Sequence, residues 1–179
     1  HLITKNISAF IDASLSLLNF FPEEKANIEN EFQINLSDSE LKILNKKIIS
    51  YLQKEPGNTR IGDHYIWFCI YTAQYENAFI QVKAMGKRKK DGGRQLLEFS
   101  NKMTKEEQYE LAKRCLNEVI EIGNTYYSQK AQKQKLEIEL KLIDEGQNND
   151  IVYINDLIKA FDDYISITKK EEEIFWAEL

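Results

Sequence analysis

Apolar side chains return every third or fourth position through most of this chain, the pattern of helices that pack by one face. Ile3, Ile7, Phe10, Ile11, Leu15, Leu18 and Phe21 hold that spacing and predict a helix over 4–21, stopped by Pro22. A short helix over 22–30 follows, with Pro22 pre-set for its first position. "EFQINL" then alternates, Phe32, Ile34 and Leu36 to one side, and predicts a short extended segment at 31–36. Ser37 and Glu40 have capping-box spacing ahead of Leu41, Leu44, Ile48, Tyr51 and Leu52, so a helix runs to about 54 and "EPGN" ends it.

Residues 61–83 are ambiguous at first sight, because "YIWFCIY" is also strand-like. Tyr65, Phe68, Thr72, Tyr75, Phe79 and Val82 continue at 3-4-3-4-3 spacing, which a strand cannot sustain. The prediction is one central helix, contacted on several sides and ending near Gly86. Thr104 and Glu107 form a second capping-box pattern, and Tyr109, Ala112, Leu116, Val119, Ile120 and Ile122 carry a helix to Gly123-Asn124. "KLEIELKLI" alternates Leu136, Ile138, Leu140 and Leu142, yet strong helix formers and a Leu136–Leu140–Ile143 face favour helix over 125–145. Asp150 caps a last helix whose Ile151, Ile154, Ile158, Phe161 and Ile165 keep the 3-4 rhythm; "EEEIFWAEL", with Phe175, Trp176 and Leu179, extends it or adds a short final helix.

The sum is an all-α protein, an irregular bundle of about six helices in one domain, 1–179. The alternative is a short β element pairing 31–36 with 135–143 or 151–155. Ile122, Gly123 and Tyr126 resemble the L-G-x-x-Y spacing of a tetratricopeptide helix. The same register puts Lys135 and Glu139 where small and aromatic residues are wanted, and no repeat period recurs, so no repeat is inferred.

Composition narrows this picture. The chain has 179 residues, 42% of them hydrophobic, enough for an ordinary core. Two prolines and seven glycines disfavour a turn-rich all-β protein. Cys69 and Cys115 sit in apolar helical patterns and are expected as buried thiols rather than zinc ligands or a disulfide. No apolar run is long enough to predict a transmembrane segment. "ISAFIDASLSLLNFF" is interrupted by Asp12 and Asn19 and lacks a signal-peptide cleavage site. The expected compartment is the cytoplasm. Export of a longer precursor stays open, because the first residue is His1 rather than Met.

Charge is unevenly placed. The formal net charge is −5, yet Lys83, Lys87, Arg88, Lys89, Lys90 and Arg94 cluster at 83–94 against one acid, Asp91. Residues 144–179 carry ten acids and three lysines and form an acidic C-terminal helical region. Close-set cations resist burial, so 83–94 is expected to be a solvated loop following a helix end. It is also the candidate anion site, for nucleic acid or anionic lipid. No aromatic residue lies between Phe79 and Phe99 to stack a base.

Catalytic motifs are scarce. H-E-x-x-H, paired E-x-x-H, G-x-S-x-G, the P-loop and G-x-G-x-x-G are all missing, and no metal site or cofactor is expected. "DEGQNND" at 144–150 lacks EF-hand spacing and reads as a turn. His1 and His64 are the only histidines. "RIGDHYIW" places Arg60, Asp63 and His64 at a helix start and resembles the Arg-to-His motif of HEPN-type ribonucleases, compact helical domains that act as dimers. The resemblance implies proton transfer by His64 and phosphate stabilisation by Arg60. Three residues separate the pair, fewer than in that family's motif. The favoured expectation is a non-enzymatic module that binds another protein, such as an immunity, adaptor or surface-interaction protein, consistent with its tyrosines and tryptophans. The HEPN-like ribonuclease and the binder of nucleic acid or anionic surfaces are the alternatives.

Overall fold

A computed structural model describes residues 2–123, 126–147 and 150–168. Helix α1 spans Leu2–Phe20, and a 3-10 turn at Pro22–Glu24 leads into α2, Lys25–Asn35. Then come α3 (Asp38–Lys54), α4 (Thr59–Tyr71), α5 (Tyr75–Lys89), α6 (Arg94–Lys105), α7 (Tyr109–Ile122), α8 (Tyr126–Asp144) and α9 (Ile151–Ile167). The fold is all-α, with no strand among the described residues. None of these helices is long and apolar enough to cross a membrane. The chain divides into two compact units, with the boundary between Met85 and Gly86.

In the first unit α1, α3 and α4 pack on one another, and α2 lies against α1. Ile11, Leu15, Phe32, Leu44, Ile48, Ile61 and Phe68 form the centre. Each side chain of that size contributes about 1.5–3 kcal/mol by leaving water. Polar ties run along the seams: Lys47 Nζ lies 2.6 Å from Asp12 Oδ2, and Asn58 Nδ2 donates to Asn19 Oδ1 at 2.9 Å. The Ser37–Glu40 capping box opens α3 as expected, Ser37 N–H donating to Glu40 Oε2 at 2.8 Å.

The extended segment expected at 31–36 is instead the end of α2. Ile28 and Phe32 are buried one turn apart, whereas Ile34 is 69% exposed. A strand would have needed Ile34 on the same side as Phe32.

The single helix expected over 61–83 is two. Helix α4 stops in a Schellman motif: Gln74 N–H donates to Cys69 O at 2.7 Å and Ala73 N–H to Ile70 O at 3.0 Å. Ala73 takes the left-handed conformation, φ 55°. Chain reversal then sets α5 against α4 so closely that a Cβ on Gly62 would meet Met85 Sδ at 2.7 Å.

The expected 83–94 loop is helical through Lys89, because Ala78, Phe79, Val82 and Met85 anchor α5 and the charged residues continue its last turn. Only residues 90–93 form the turn.

The second unit runs α6, α7, α8, α9, each helix packed on the next. "RQLLEFSN", to which the sequence reading gave no element, opens α6, and Leu96, Leu97, Phe99 and Met103 face inward. Asp91 caps it: its carboxylate accepts from Gly93 N at 3.0 Å and Gln95 N at 3.2 Å. Gly93 has φ +94°, and a Cβ there would lie 2.9 Å from Val119 Cγ1. Thr104 and Glu107 do not form a capping box. Glu107, φ 58°, is instead the left-handed residue that ends α6, and Gln108 N–H closes onto Met103 O at 2.8 Å. Helix over 125–145 is realised as α8. Asp150 caps α9, Oδ1 accepting from Val152 N at 3.0 Å. Residues 169–179, with Phe175, Trp176 and Leu179, lie outside the described residues, as does His1.

Candidate functional site

His64 sits on α4 with no solvent exposure. Its Nδ1 is 3.3 Å from Glu29 Oε1 on α2. Its ring stacks on Trp67 at 5.0 Å, and Trp67 stacks on Tyr71 at 5.6 Å. The other ring nitrogen, Nε2, is buried without a hydrogen-bond partner. Burial pushes the imidazole below its ordinary pKa, outweighing the hydrogen bond and charge of Glu29. Arg60, one turn earlier, is exposed, and its guanidinium donates to the Asn19 carbonyl at the end of α1. One member of the HEPN-like pair is thus sealed in the core, and the other is held at the surface. Nearby, burial raises the Cys69 thiol to about 11, despite the lowering hydrogen bond from Tyr65.

Lys87, Arg88, Lys89 and Lys90 are all exposed. Successive helical residues turn by about 100°, so these side chains spread round the end of α5 rather than sharing one face. Lys83 lies over the Phe79 ring at 5.9 Å, and Arg94 opens α6 with Nε 4.0 Å from Glu98. No group of three or more metal-ligating side chains converges among the described residues.

A third place, not anticipated from the sequence, is a groove of about 570 Å³ in the second unit. Its floor is α8, which packs on two sides. Ala131, Ile138 and Leu142 are buried on one side. Leu136 joins Leu157 and Tyr164 of α9 on another, with Ile143, Ala160 and Phe161 alongside. Between them Gln132, Lys135 and Glu139 face the groove. Ile120 of α7 forms one wall, and α9 forms the other with Tyr153, Leu157, Ala160 and Tyr164.

Glu139 is engaged: Tyr153 donates its hydroxyl to it, and Lys113 Nζ lies 3.5 Å from its Oε2 and 2.7 Å from Glu110. Burial works to lower the Lys113 pKa, but hydrogen bonding and charge from those two acids leave it raised. Asp156 and Asp163 stand exposed along the α9 rim. Gln132 Oε1, on the α8 floor, is a buried acceptor with no partner.

The sequence gives Ile151, Ile154, Ile158, Phe161 and Ile165 a 3-4 helical spacing, and of these Phe161 packs against the Leu136–Leu157–Tyr164 cluster. The packed stripe is Leu157 and Tyr164, while Ile151 is 74% and Ile158 54% exposed. The 4-3-4 spacing of Tyr153, Leu157, Ala160 and Tyr164 was a sequence signal for the groove-facing side. The groove therefore stands on its own geometry: no protein-family model matches the chain, and a search of curated proteins finds none similar to it.

Proposed function

We propose that this chain is a protein-binding module whose contact surface is the groove bounded by α7, α8 and α9. The observation that carries this reading is an open trough between helices with apolar side chains along it. Ile120, Leu136, Leu157 and Ala160 line the trough between the helices. Apolar surface concentrated in one place marks interaction sites more often than scattered apolar residues do. A trough between helices is the shape that accepts a partner's helix.

Ala160→Trp fills the trough without changing charge. Affinity capture from the source cells with the parent and with this variant tests the reading, with circular dichroism confirming that both fold. A partner enriched on the parent and lost on the variant supports the groove. An identical set of captured proteins on both overturns it.

A further inference from the structure

We infer that the partner segment taken by this groove is a basic amphipathic helix of about three to four turns. The inference rests on the groove being the binding surface and adds the chemistry of its occupant.

Length comes first. The α9 wall runs from Tyr153 to Ser166, about 20 Å of helix at 1.5 Å per residue. A parallel or antiparallel helix of similar length matches it. An extended peptide has no sheet edge to join here, since the unit is helical and its backbone groups are already paired within helices.

Charge decides the rest. The titratable side chains lining the groove are Lys135, Glu139, Tyr153, Asp156, Asp163 and Tyr164. Glu139 is already shared by Lys113 and Tyr153. The carboxylates of Asp156 and Asp163 have no hydrogen-bond or ion-pair partner among the described residues and stand two helical turns apart on the open rim. A helix lying in the trough with its apolar stripe down brings its flanking positions to that rim. Lysine or arginine there meets the two carboxylates, and glutamate there meets like charge.

Two synthetic peptides of about four turns test this, sharing one leucine stripe and differing only in lysine or glutamate polar faces. Each is fluorescently labelled and titrated against the parent, against Ala160→Trp, and against the double variant Asp156→Lys/Asp163→Lys, whose exposed positions leave the fold intact. The parent is expected to bind the lysine peptide at least about tenfold more tightly than the glutamate peptide. The double variant should reverse that preference, and Ala160→Trp should lose both.

Equal binding of the two peptides by the parent, lost in Ala160→Trp, overturns the charge inference while leaving the groove as the binding surface. Binding of neither peptide, or unchanged binding by a folded Ala160→Trp, overturns the groove reading and this inference with it. A parent dimer in sedimentation that Ala160→Trp dissociates makes a second copy the occupant, and likewise overturns the basic helix.

Discussion

His64 shows how one side chain couples burial to pH. Its ring is enclosed by Phe32 and Trp67, and only Nδ1 has a polar neighbour, Glu29. Because burial depresses the folded-state pKa, the unfolded chain takes up the proton first as pH falls. The neutral imidazole's stability is therefore fully present above the ordinary histidine value, near 6.5, and is lost as pH falls below it toward the folded pKa. The urea midpoint of the parent should drop between about pH 7.5 and pH 5.5, and His64→Gln should flatten that drop. Equal slopes in the two proteins would contradict this account. The cysteines follow the same logic of enclosure. Both are buried, and Cys69 is raised to about 11, so Cys69 supplies no thiolate near neutrality. A thiol reagent should modify the native protein only as fast as it opens; prompt labelling of either cysteine would refute the packing described. That these thiols would be buried was legible from their apolar neighbours in the sequence. The sealing of His64 was not, because it depends on Glu29 and Phe32, which come from a different helix.

Helix ends explain most of what the sequence left hidden. Among the described residues, four helices finish with a left-handed residue and paired closing bonds, at Ala73, Lys90, Glu107 and Gly146. Only the last carries glycine, the residue a reader looks for at such an end. Ala73 therefore hid the break between α4 and α5, and Glu107 passed for half of a capping box. These residues hold strained backbone, since the left-handed region costs an L-residue about 1–2 kcal/mol. Ala73→Gly should stabilise the chain by about 1 kcal/mol once the glycine's extra unfolded-state freedom is subtracted. Gly93→Ala should do the opposite and more strongly, by about 2–4 kcal/mol, because its φ is +94° and its Cβ would press on Val119. Gly57→Ala is the control: nothing lies within 4 Å of its added Cβ, and it should be neutral or slightly stabilising. Denaturant midpoints of the three variants check all of this. Where a cap does carry standard residues, as at Ser37–Glu40 and Asp150, sequence and structure agree. The strand-like alternation of "KLEIELKLI" has its own cause. Helix α8 is packed on two sides, so buried positions fall closer together than one face allows.

At the scale of the molecule, the opposed charges take on a structural meaning. The cations of 87–90 mark the point where α5 ends, just beyond the boundary between the two units. The turn there is held by long bonds: Lys90 N to Lys87 O, Asp91 N to Gly86 O and Arg94 N to Asp91 O are each 3.4 Å. The equivalent closing bonds at Ala73 and Gln74 are 3.0 and 2.7 Å. Long bonds, exposed side chains and a left-handed lysine make local opening cheap here, and proteases cut where opening is cheap. Limited trypsin should therefore cleave first after one of Lys87, Arg88, Lys89 or Lys90, giving two fragments of nearly equal size. Replacing those four residues with glutamine should slow the first cut and move it elsewhere. Mass spectrometry of the earliest products decides the matter. A first cut within α8, after Lys130, Lys133 or Lys135, would show that the groove-bearing helices open more readily than the turn and would contradict this account.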